Sequence, residues 1–110
     1  MKMEKEKKII ETSKKILNDF VREFKLDSFK IFGPDEVKKK KYYNFQYNVW
    51  EVFVNVTDEQ FGGYGIFSLY FKDETMEPFM FHDGGAEGRT PDLQVVKKNG
   101  KYTIGDEWKG

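Results

Sequence analysis

The hydrophobic period changes once along this chain, and that change limits the fold more than any other feature. Residues 5–25 repeat as a helix does. Ile9, Ile10, Ile16, Leu17, Phe20, Val21 and Phe24 recur at three- and four-residue spacings, with Ser13 filling a gap in the stripe. Glu11, Lys14, Lys15, Asn18, Arg22 and Lys25 take the opposite face. About 21 residues at ~1.5 Å each give a rod of roughly 30 Å, enough to cross a small sheet. Beyond residue 42 the apolar positions alternate as strands do, and that region holds most of the 19 aromatic residues.

The strand reading proceeds by segments. Residues 28–32 form a short strand ended by Gly33-Pro34, and Asp35-Glu36-Val37 reads as one helical turn with acidic residues at its positive end. Residues 42–57 form the longest strand candidate. Its apolar set moves from odd positions (Tyr43, Phe45, Tyr47, Val49) to even ones (Trp50, Val52, Val54, Val56). A β-bulge near Asn48-Val49 explains that shift and would bend the strand; a tight turn there is the alternative. Gly62, Gly63 and Gly65 precede a strand, without the Lys-Ser/Thr pair or the following helix of a phosphate loop. Phe67, Leu69 and Phe71 then face one way and Ile66, Ser68 and Tyr70 the other, which predicts a central strand. Pro78 marks the start of a strand or an edge strand, and Asp83–Asp92 is the longest polar loop. Asn99-Gly100 predicts a type I′ hairpin in which Lys98 opposes Lys101, Lys97 opposes Tyr102, Val96 opposes Thr103 and Val95 opposes Ile104. Leu93, Val95, Tyr102 and Ile104 are expected to close the core, with Trp108 pinning the tail to the sheet.

The expected fold is therefore α+β. One long N-terminal helix packs on a curved antiparallel sheet of about four to five strands, ending in the Asn-Gly hairpin, as a single domain over residues 1–110. Lys+Arg and Asp+Glu each number 19, and this zero balance argues against a dedicated nucleic-acid binder, whose field is usually basic. It also leaves little electrostatic protection against self-association, so a homodimer is compatible with the chain. With no cysteine, packing alone must stabilise the fold. The charged start has no apolar signal core, which reads as cytoplasmic, or as secreted or surface-anchored if a signal was removed. No apolar run approaches the ~20 residues of a membrane span.

Motifs that carry chemistry are sparse, and no cofactor is expected. The one histidine, His82, precedes Asp83, but neighbours on a strand point to opposite faces. Asp83, Glu87 and Asp92 share a loop without the spacing of a calcium site. Lys38–Lys41 beside Tyr42 and Tyr43 could draw phosphate and stack on bases. The aromatic residues either fill the core or line an apolar cavity at the open end of the sheet.

The stretch from Val95 to Trp108, Val-Val-Lys-Lys-Asn-Gly-Lys-Tyr-Thr-Ile-Gly-Asp-Glu-Trp, resembles the final hairpin of small cystatin-like and NTF2-like α+β domains. The helix-then-strands order resembles them too. That group includes inhibitors, immunity proteins, secretion accessories and ligand-binding domains. The Gln-x-Val-x-Gly loop of cystatin inhibitors and the Asp/His set of NTF2-like isomerases are both missing, so no active-site residue carries over. The expected function is a small non-enzymatic domain that binds a protein partner, as an inhibitor or immunity protein does. The alternative is a ligand pocket or, further off, an enzyme using His82. The candidate binding residues are Tyr42, Tyr43, Phe61, Tyr64, His82, Asp83, Glu87 and Arg89, with no metal site.

Overall fold

In the computed structural model, which describes residues 2–41, 43–86 and 91–109, the helix α1 (Lys2–Asp19) lies on an open antiparallel sheet. The strands are β1 (Lys30–Phe32), β2 (Val49–Thr57), β3 (Tyr64–Lys72), β4 (Pro78–Asp83), β5 (Leu93–Lys98) and β6 (Lys101–Glu107). A second helix, α2 (Pro34–Lys40), separates β1 from β2. Spatial order equals chain order, so the sheet is a six-stranded meander rather than one of four to five strands. No helix among the described residues is long and apolar enough to cross a membrane.

The apolar stripe of α1 explains its placement. Ile9, Ser13, Ile16 and Leu17 are fully buried against Trp50, Val52, Val54 and Val56 of β2, Phe67, Leu69 and Phe71 of β3, and Phe81 of β4. The helix stops six residues before the periodicity does. Val21 takes a left-handed backbone (φ 56°), its N–H donates to the Asn18 carbonyl, and the Arg22 N–H donates to the Leu17 carbonyl at 2.8 Å. Those two bonds close a Schellman turn, a role glycine normally fills. Val21, expected in the core, is thereby turned into solvent. Phe20 still packs on Phe81 (ring centroids 5.1 Å), and Phe24 forms an isolated bridge to Val56. Residues 23–32 thus seal the outer edge of β2: Lys25 N–H donates to the Asn55 carbonyl, Thr57 N–H to the Glu23 carbonyl, and β1 continues the pairing.

The opposite face of the sheet has its own cover. Val37 of α2, Tyr43, Phe45 and Trp108 pack over Val49, Tyr70 and Met80. The expected strand over 42–57 begins only at Val49. Tyr43, Phe45 and Tyr47 do not pair in the sheet but line up as a stacked row across it, with centroid separations of 5.2 and 6.1 Å. The phase change in the sequence is therefore the join between a cover and a strand, not a bulge. A bulge does occur at Phe79, which has no partner between the pairs Tyr70–Met80 and Phe71–Pro78. It lets consecutive residues, Phe79 and Met80, both serve the second cluster. Pro78 opens an inner strand, not an edge strand.

The hairpin has the expected register in all four pairs, with positive φ at Asn99 and Gly100. Its apolar face closes only in part. Val95 is buried, and Leu93 and Tyr102 pack on the core, but Ile104 is more than half exposed. As a residue of the sheet's edge strand, Ile104 has no further strand to cover its flank. Trp108 pins the tail as expected: its N–H donates to the Asp92 carbonyl at 2.9 Å and its ring joins Tyr43, Phe45 and Phe79.

Candidate functional site

Where β2 turns into β3, three connections meet, and Arg22 ties them together. Its Nη1 donates to Glu59 Oε1 at 3.0 Å, and its Nη2 donates to the Thr57 carbonyl at 2.9 Å and to Asp83 Oδ1 at 3.0 Å. Its Nε lies 2.8 Å from Asp83 Oδ2, so guanidinium and carboxylate meet along two atoms each. Both side chains are about nine-tenths buried. Asp83 also accepts the Gly85 N–H at 2.9 Å, and the Glu59 N–H donates to the Gly85 carbonyl. The turn from β2 is closed internally: Asp58 Oδ1 accepts the N–H groups of Gln60 and Phe61, and Gly62 and Gly63 supply the left-handed backbone.

Two glycine clusters that look unrelated in the sequence touch here. A Cβ on Gly65 would lie 2.6 Å from the Gly85 Cα, and one on Gly84 would lie 2.5 Å from the Ile66 carbonyl oxygen. The absence of side chains lets the backbone after β4 lie directly on the start of β3.

Around this tip stand large apolar side chains in water: Val21 (86% exposed), Phe61 (83%), Leu26 (65%), Tyr64 (58%) and Ile66 (52%). They are five of the eight exposed large apolar residues among those described. Lys25 lies over the Tyr64 ring at 5.6 Å and, with Asp27 and Ile66, lines a shallow depression beside it.

The sequence-selected residues divide accordingly. Phe61, Tyr64 and Asp83 come together at the tip, though Asp83 serves as the internal partner of Arg22 rather than as a contact. Tyr42, Glu87 and Arg89 lie outside the described residues. Tyr43, expected as an exposed anchor, is half-buried; its hydroxyl donates to Asp92 Oδ2 at 2.9 Å and its ring meets Tyr70 edge-on. Burial, then the Asp92 carboxylate, push its hydroxyl pKa up to about 12. Tyr70 lies six residues along β3 from Tyr64, or roughly 20 Å, so Tyr43 and the tip are separate surfaces. Arg22, Val21, Leu26 and Ile66 were not singled out from sequence. A helix running to residue 25 puts Arg22 on its solvent face and Val21 in the core, and only the early helix stop reverses both.

His82 faces away from Asp83, as strand geometry requires. Its Nδ1 sits 3.2 Å from Asp92 Oδ1. Ser68 is its cross-strand partner, and no hydrogen bond joins these two side chains. Among the described residues no group of three His, Asp or Glu side chains is placed to hold a metal ion.

Comparison with known protein families, with curated proteins and with solved structures finds no match to this chain.

Proposed function

We propose that this chain is a small non-enzymatic domain that binds a protein partner through its tip, in the manner of an inhibitor or immunity protein. The observation that carries the reading is the pairing of exposed apolar anchors with a rigid base. Isolated exposed apolar residues need no explanation, but a group at one end of a small domain marks an interaction surface. Val21 and Phe61 stand on loops and Tyr64 at the start of β3, all beside the ties made by Arg22, Asp83 and the Gly65–Gly85 contact, so little ordering entropy is lost on binding. Aromatic anchors on such a base are the usual centres of protein interfaces. The order of one helix followed by antiparallel strands, which resembles that of cystatin-like domains, accords with this reading, since that group includes inhibitors.

The test is cross-linked capture from the native host with wild-type protein and with Phe61→Ala/Tyr64→Ala. The expected result is one protein recovered by the wild type and lost by the variant. Calorimetry on the purified pair should then show binding weakened at least tenfold, with the variant's melting temperature unchanged. Equal affinity of wild type and variant for the purified partner would overturn the reading.

A further inference from the structure

A second candidate site lies at the other end of β2, roughly 26 Å from the tip at ~3.3 Å per residue, and is independent of the reading above. Between α2 and the row Tyr43–Phe45–Tyr47 runs a groove of about 390 Å³, within the ~300–1,000 Å³ range of small-ligand sites. Val37 and Val49, both buried, contribute its apolar lining together with Pro34. Lys38 and Lys41 line it as well. Among the described residues neither lysine has an ion-pair partner, in contrast to Lys40 between them, which is bound to the buried Glu51. Lys41 is held by the left-handed backbone that ends α2 (φ 56°), so its position is set by the helix end and not by a long loop.

We propose that this groove binds a small organic anion with a flat apolar body, such as an aromatic carboxylate or sulfonate. The apolar lining takes the ring system, and Lys38 and Lys41 take the anionic group. A single-stranded nucleic acid, the other chemistry suggested by lysines next to aromatic rings, fits less well. Bases need free ring faces on which to stack. Here Tyr43 stacks on Phe45 at 27° and Phe45 on Tyr47 at 30°, while Lys72 lies over the Tyr47 ring at 4.9 Å. The ring faces are already used, and the chain has no net positive charge to draw a polyanion.

The probe is 1-anilinonaphthalene-8-sulfonate, compared with N-phenyl-1-naphthylamine, which has the same rings without the sulfonate. Fluorescence titration of the whole protein should show saturable binding of the sulfonate at one site. Methyl resonances of Val37 and Val49 should shift on its addition. Lys38→Gln/Lys41→Gln should weaken the sulfonate about tenfold and leave the neutral dye within twofold. Lys7→Gln/Lys8→Gln on the exposed side of α1 controls for net charge and should change neither. The proposal is overturned if the sulfonate fails to saturate, if Val37 and Val49 do not respond, or if the groove pair and the control pair behave alike. It is also overturned if a fluorescent dT15 strand binds more tightly than the sulfonate and loses that affinity in Lys38→Gln/Lys41→Gln.

Discussion

Single residues show where this fold accepts local cost. Val21 is the clearest case: a β-branched side chain held at φ 56° and left in water. A left-handed backbone at such a residue costs on the order of 1–3 kcal/mol, and strain of this kind persists where function holds it. Val21→Gly removes that strain but adds freedom to the unfolded chain. The net expectation is a gain of about 1 kcal/mol in urea denaturation. If Val21 is one of the anchors, the same variant binds the partner more weakly. A melting curve moved downward would show that the Schellman turn does not carry the strain assigned to it. Ser13 is the second case. It is fully buried on α1, and its hydroxyl has no hydrogen-bond partner among the described residues. Ser13→Ala removes an unsatisfied hydroxyl and improves helix propensity, so it should stabilise by about 1 kcal/mol. Ile16→Ala, one turn further on, should instead cost about 2–5 kcal/mol through the cavity it opens. Equivalent effects from the two would mean that α1 does not bury this stripe.

Helix α1 is fastened to the sheet at both ends by a carboxylate. Near its start, Lys5 Nζ donates to Asp73 Oδ1 at 3.0 Å, and the Trp50 indole N–H donates to the same oxygen at 2.6 Å. At its end, Asp19 Oδ2 accepts the Tyr102 N–H and Lys15 Nζ, both at 2.9 Å. The Trp50 bond and then Lys5 hold the Asp73 carboxyl below its ordinary range; the Tyr102 N–H and then Lys15 do the same for Asp19. Lowered folded-state values mean stability present above the unfolded carboxylate pKa of about 3.9 and lost as pH falls through the still lower folded value. Asp73→Asn should therefore destabilise at pH 7, and its difference from wild type should shrink as the pH is taken towards 2. A difference that stays constant with pH would exclude the ionised tie. These two fastenings join segments far apart in the chain, which is why neither was legible in the sequence. What was legible is local. The hairpin register follows from Asn99-Gly100, and the buried faces of β2 and β3 follow from alternation. The helix end was hidden because valine stands where glycine would announce a stop. The row Tyr43–Phe45–Tyr47 alternates like a strand because it too presents one side to the sheet, although it pairs with none. At the tip, Phe61 and Tyr64 could be picked out beside their glycines. Arg22 could not, since its three connections converge only in the folded molecule.

At the scale of the whole molecule the sheet has two unequal covers, and they are held by different chemistry. One face is closed by the apolar stripe of α1. On the other, α2 is anchored by a charge: Lys40 pairs with Glu51, whose side chain is 3% exposed, and Tyr70 donates its hydroxyl to the second Glu51 oxygen at 2.7 Å. Burial, then the Glu51 carboxylate, push the Tyr70 hydroxyl pKa above the ordinary tyrosine range, in keeping with its role as the donor in this bond. Lys40 also lies over the rings of Phe32 and Phe53, at 3.3 and 4.7 Å, which binds β1 and β2 into the same contact. Removing the lysine alone leaves a carboxylate inside the sheet with only a hydroxyl for company. Lys40→Met should cost about 2–3 kcal/mol, less than the ~3–5 of a fully buried pair because 24% of the Lys40 side chain stays in water. Lys40→Met/Glu51→Leu removes both charges and should recover more than half of that loss, since an apolar pair no longer carries the desolvation of an unpaired ion. The consequences should also be local. Loosening α2 moves Val37, Lys38 and Lys41, so the sulfonate dye should bind Lys40→Met more weakly. The tip, built on Arg22 and the far ends of β2 and β3, should keep its partner affinity. A double variant no more stable than Lys40→Met would show that the charge pair is not what holds α2, and a loss of tip binding in Lys40→Met would show that the two ends of the sheet do not act separately.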